Sequence, residues 1–152
     1  MTTRMTEQTQ SRDYLYILSL VLVVIGLIIS GYISYTKITN TSVVCLAGES
    51  HSCDVVQSSV YAKFAGIEIA YLGFLAYLGL GALLLLQRRI AILKEYGHIL
   101  VFGITLFAFL DAVWLVYVQA TILQAFCTWC LGHEATMTLL FIVSALRLWR
   151  KL

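Results

Sequence analysis

The stretch that decides the fold is residues 14–35, YLYILSLVLVVIGLIISGYISY, which carries no charged side chain. A helix needs about 20 apolar residues to cross a hydrocarbon core, and this run is long enough. It starts too late and runs too long for a signal-peptide core, and no small-residue cleavage site follows, so it reads as a retained span. Three more runs follow: Ile69 to Leu86 with no charge, His98 to Ala120 with one acid (Asp111), and Cys127 to Leu146 with Glu134 beside His133. Lipid offers the backbone no hydrogen bonds, so these runs are expected as helices. The whole chain agrees: 152 residues, 61% hydrophobic, 12% charged and without proline, with mean hydropathy +0.89. A soluble domain is nearer half apolar and a quarter charged. The expected fold is therefore an all-α membrane protein, a four-transmembrane-helix bundle with spans near 14–35, 69–86, 98–120 and 127–146.

Four spans place both termini on one side. That side holds Arg4, Arg12, Arg88, Arg89, Lys94, Arg147, Arg150 and Lys151, whereas the other holds Lys37 and Lys63. The positive-inside rule then makes the ends cytoplasmic and turns the 37–66 loop outward. The expected location is a multi-pass inner or plasma membrane with the active site on the periplasmic or extracellular face, or the endoplasmic reticulum membrane in a eukaryote. In the loop, Val55, Val56, Val60 and Phe64 share a helical face, which predicts a short interfacial helix. Asn40-Thr41-Ser42 is a glycosylation sequon that matters only in a eukaryotic cell. A net charge of +2 and no basic stripe with interleaved aromatics give no argument for nucleic acid, and no internal repeat stands out.

All four cysteines fall on the outward side, where disulfides form and persist. Cys45 and Cys53 are in the loop; Cys127 and Cys130 open the fourth span. Three readings compete. Two structural staples suit Cys45 and Cys53, but a Cys-x-x-Cys pair closes almost no loop. A zinc cage is a second reading, although structural sites have close spacing in both pairs. In the third the pairs are redox-active: a helix start presents unpaired N–H groups and a positive dipole end to a thiolate, which lowers its pKa. Cys127, Cys130 and Glu134 share one helical face, and an ionisable residue in a span is a functional candidate, here for quinone binding or proton transfer. Tyr71 and Tyr77 enter the second span and are candidates to line a pocket. His133 and Trp129 are expected at the interface, and Asp111 as polar glue inside the bundle.

Cys45, Cys53-Asp54, Ser59, the stretch Gly66-Ile67-Glu68-Ile69-Ala70-Tyr71-Leu72-Gly73 and Cys127-Thr128-Trp129-Cys130 together resemble the vitamin K epoxide reductase family in its compact form, from the first span to the end of the fourth. The resemblance implies a bundle enclosing a quinone (ubiquinone, menaquinone or a vitamin K-like quinone) under the loop, with no metal. It implies Cys130 beside the quinone, Cys127 as its partner, Cys53 linking the pairs, and Cys45 exchanging with an outside thiol protein. Ser59, Glu134 and Tyr71 are the substrate-binding candidates. The implied activity is a quinone-linked thiol–disulfide oxidoreductase that supports disulfide formation. Many bacterial relatives carry a fused thioredoxin-like domain; here a thioredoxin-fold thiol oxidase is expected in trans. Two positions depart from the pattern: Glu68 stands where many bacterial members have proline, and Glu134 where epoxide-reducing members have tyrosine. Reduction of vitamin K epoxide and a cysteine-based membrane metal carrier are the alternatives. An unrelated type of quinone-linked disulfide generator has its close pair in the first outward loop, the reverse of this order.

Overall fold

The computed structural model describes residues 2–41 and 50–151, with side chains for 14–41 and 53–151. Helix α1 (Thr2–Ile38) is followed by α2 (Ser50–Ser58), a 3-10 turn (Val60–Ala62) and a minimal hairpin of β1 (Lys63–Phe64) and β2 (Ile67–Glu68). Helices α3 (Ile69–Leu86), α4 (Ala91–Val118) and α5 (Thr128–Lys151) complete the chain, with a π-helical turn at Gln119–Leu123 extending α4. Four helical stretches are long and apolar enough to cross a membrane: Tyr14–Ile38, Ile69–Leu86, Ala91–Leu123 and Thr128–Lys151. The chain is an all-α membrane bundle. The third stretch starts before the run expected from 98, because Lys94 and Glu95 fit an α-helical register once the helix has left lipid.

Helix α1 packs on α3 and α5, α5 on α4, and α4 on α3, which closes a ring. Large apolar side chains point outward all around it: Ile17, Val24 and Ile28 on α1, Leu75 on α3, Phe107 and Leu110 on α4, Leu139 on α5. Lipid tails are as apolar as those side chains, so burial alone does not hold the helices together; close approach and interhelical hydrogen bonds must. Gly26 of α1 lets the ring of Tyr77 lie directly against the α1 backbone, where a Cβ would overlap it. Tyr16 donates to the Leu84 carbonyl at 3.0 Å, and the hydroxyls of Thr105 and Ser144 meet at 2.8 Å between α4 and α5.

The cap over one end differs from the continuous interfacial helix expected from the sequence. Helix α2 stops at Ser58, and Ser59 takes an extended conformation. Ser58 Oγ donates to the Asp54 carbonyl at 2.6 Å and Ser59 Oγ to the Val56 carbonyl at 2.7 Å; hydroxyls that bond local carbonyls in this way compete with helix continuation. The 3.6-residue period therefore breaks before Val60 and Phe64. Val56 is buried, whereas Val55, Val60 and Phe64 are exposed. The hairpin pairs Lys63 with Glu68 and Phe64 with Ile67 around Ala65-Gly66. Both turn residues have positive φ (52° and 84°), as a two-residue turn matching strand twist requires. The hairpin ends at Glu68, whose Oε2 lies 2.7 Å from Lys37 Nζ at the end of α1. Lys37 also donates to the Gln57 carbonyl at 2.8 Å. One cation thus ties α1, α2 and the hairpin together.

Candidate active site

Cys127 is the residue just before α5, and it acts as that helix's N-cap. Its carbonyl accepts the first helical hydrogen bond, from Leu131 N–H at 2.9 Å. Its sulfur accepts the N–H of Cys130 at 3.3 Å, which is where a capping side chain normally bonds. Gln57 Nε2 reaches the same sulfur from the cap at 3.9 Å. A hydrogen bond from the Cys130 thiol, joined by the N–H groups of Cys130 and Trp129 and by Gln57, holds the Cys127 thiol below the usual range, although burial pushes it up. Cys127 and Cys130 are free thiols, and Cys53 is disulfide-bonded. Cys45 lies outside the described residues.

Cys53 and Cys127 are both fully buried and pack in one cluster with Val56, against Tyr32, Trp129 and Cys130. The ring of Trp129 stacks obliquely on Tyr32 with centroids 4.6 Å apart. Packing of the loop cysteine on the first cysteine of the close pair is the juxtaposition that thiol–disulfide exchange between pairs needs.

Beside this cluster lies a cavity between the cap and the upper bundle, with about 620 Å³ of space unfilled by atoms, counting its open mouth. Its walls are mainly aliphatic (Ile33, Val118, Leu123), with Ser59 and Lys37 near the cap and Cys130 and Glu134 on α5. Glu134 Oε1 accepts from Gln119 Nε2 at 3.0 Å, while Glu134 Oε2 is buried with no hydrogen-bond partner among the described residues. The wall thus carries one thiol and one carboxyl oxygen with no hydrogen-bond partner among the described residues, in mainly apolar surroundings. Among the described residues no group of three His, Cys, Asp or Glu is placed to hold a metal ion.

The structure brings Cys53, Cys127, Cys130, Ser59 and Glu134 into one region. Tyr71 is half-buried on α3 and is not part of the cavity wall. Tyr77 is fully buried and donates to the His133 carbonyl at 3.3 Å. His133, expected at the interface, instead packs inside the bundle, edge-on to Tyr77 at 5.3 Å, in space left by Gly73. Asp111 lines a second cavity next to His133.

Three further residues carry no signal strong enough to single them out in the sequence. Gln119 sits in the π-turn, 2% exposed, and its Oε1 accepts the Cys127 N–H at 3.1 Å while its Nε2 holds Glu134. Gln57 touches Cys127 from the cap, and Lys37 anchors the cap. An uncharged amide inside an apolar helix is the available hint for Gln119. For Lys37, it is one cation and one acid (Glu68) bracketing the loop.

Comparison with known protein families matches residues 17–145 to the family described as the vitamin K epoxide reductase family.

Proposed function

Because the chain belongs to the vitamin K epoxide reductase family, membrane oxidoreductases that use quinones as substrates, we propose that it carries electrons from a thioredoxin-fold thiol protein through two cysteine pairs to a quinone. The observation that carries this reading is the division of labour around Cys127: its sulfur is buried with Cys53, and its helical partner Cys130 lies on the wall of the apolar cavity with Glu134.

The steps balance as successive exchanges. A reduced dithiol partner attacks a Cys45–Cys53 disulfide at Cys45 and leaves oxidised, and Cys53 is released as a thiolate. Cys53 then attacks Cys127 in a Cys127–Cys130 disulfide, forming a Cys53–Cys127 bond and releasing Cys130. Attack of Cys45 on Cys53 restores the loop disulfide and leaves Cys127 and Cys130 as thiols. Cys53 in a disulfide, with Cys127 and Cys130 free, is the arrangement that this stage requires. A bound quinone accepts two electrons and two protons, and Cys127 and Cys130 rejoin as a disulfide. Glu134 and the thiol of Cys130 are the groups of α5 on the wall proposed to pass protons to the quinone. Hydrogen bonds to the Cys127 sulfur make it a good leaving group for Cys53-linked exchange.

Eight cations at one end against two at the other support an orientation with the termini in the cytoplasm and the cap on the periplasmic or extracellular face of a cell membrane. The test of the mechanism is Cys130→Ala protein assayed with a dithiol donor and a short-chain quinone. Quinone reduction should be abolished, because Cys127 then has no partner with which to form the disulfide that the quinone regenerates. A normal rate would overturn the scheme.

A further inference from the structure

At the end of the bundle away from the cysteines, α1 near Tyr16, the connection after α3, the start of α4 and the end of α5 surround a crevice of about 1100 Å³, counting its open mouth. Lys94, Arg147, Arg150 and Lys151 line it together with Arg88 and His98, and among the described residues no carboxylate does. We propose that this crevice binds the phosphate of an anionic phospholipid headgroup.

The positive-inside rule accounts for cations at this end but not for their convergence on one cavity. Arg147 is the most telling. It is half-buried, and its guanidinium carries five N–H donors. Its one hydrogen bond among the described residues is a long one, to Gln87 Oε1 at 3.5 Å. Its guanidinium lies 5.6 Å from the Tyr16 ring centroid, and that of Arg88 lies 3.9 Å from the same ring. Lys151 Nζ donates to the carbonyls of Lys94 and Glu95 at 2.6 and 2.9 Å, which fixes a third cation at the rim. Glu95 gives only its carbonyl to this contact and does not line the crevice.

Depth favours a lipid. The crevice is built from the first turns of α4 and the last turn of α5, where the apolar segments end, and this is the level of headgroup phosphates. Basic pockets between helices at this level bind anionic headgroups, with each cation contributing about 1 kcal/mol, or roughly fivefold in affinity. The inference is independent of the redox reading.

Full-length protein from mixed phosphatidylglycerol–phosphatidylcholine bilayers, released in neutral detergent, should retain phosphatidylglycerol selectively in native mass spectrometry. Arg147→Gln and Arg150→Gln should each lower retention about fivefold, and Lys63→Gln at the far end should leave it unchanged. Equal retention of the two lipids, or full retention in the Arg147→Gln/Arg150→Gln double variant, overturns the proposal. Displacement of the lipid by millimolar inorganic phosphate also overturns it, in favour of a soluble anion. If Arg147→Gln does not fold, Arg150→Gln and Lys94→Gln, both at exposed positions, give the same readout.

Discussion

Gln119 holds two groups of different chemistry at once, a backbone donor at Cys127 and a carboxyl oxygen at Glu134. An apolar side chain there would orphan both in a buried site, at a cost of about 1–3 kcal/mol. Gln119→Leu should therefore lower the detergent melting temperature. It should also reduce quinone turnover with thiol content intact, since Cys127 and Glu134 lose their common brace; unchanged turnover and stability would refute the brace. At Cys127, each hydrogen bond to sulfur favours the thiolate, so alkylation should begin below the usual thiol range as pH rises. Gln57→Leu removes one donor, and the inflection should move to higher pH. These fine contacts were not legible in the sequence. Cys127, Cys130 and Glu134 were, because a close cysteine pair and a charge one turn later fall on one helical face whatever the packing. Gln119 and Gln57 reach Cys127 only through where distant segments bring them, and no local periodicity encodes that.

The hairpin and the glycines of the helices set the element-scale expectations. Ala65 sits at φ 52°, a left-handed conformation that costs a residue with a Cβ about 1–2 kcal/mol. Ala65→Gly should relieve part of this and raise the melting temperature by stabilising the cap. Gly26→Ala should do the opposite: its methyl group would overlap the ring of Tyr77, which is pinned by its bond to His133, and overpacking of this kind costs about 1–3 kcal/mol. A Cβ added at Gly79 would meet nothing within 4 Å, so Gly79→Ala should be neutral or slightly stabilising. The four helices were readable because lipid imposes both length and apolarity. The cap was only partly readable: serine hydroxyls at 58 and 59 end α2 where the apolar spacing alone continued it.

At the scale of the whole molecule, the charge asymmetry predicts an orientation. In a chain with its native cysteines replaced by serine, a membrane-impermeant thiol reagent applied outside intact cells should label Lys63→Cys and spare Tyr96→Cys; the reverse pattern would invert the topology. The bundle has an apolar cavity under its cap and a cationic crevice at its far end. Between them, Tyr16–Leu84 and Thr105–Ser144 hydrogen bonds tie helices together where burial contributes little. The sulfur that caps α5 has one further consequence. Whenever Cys127 enters a disulfide, its sulfur becomes a poorer acceptor, and the N–H of Cys130 loses the partner it holds at 3.3 Å. The first turn of the last helix would then loosen and tighten as Cys127 enters and leaves a disulfide, so that the chemistry at one atom is felt as a small mechanical pulse on the cavity wall.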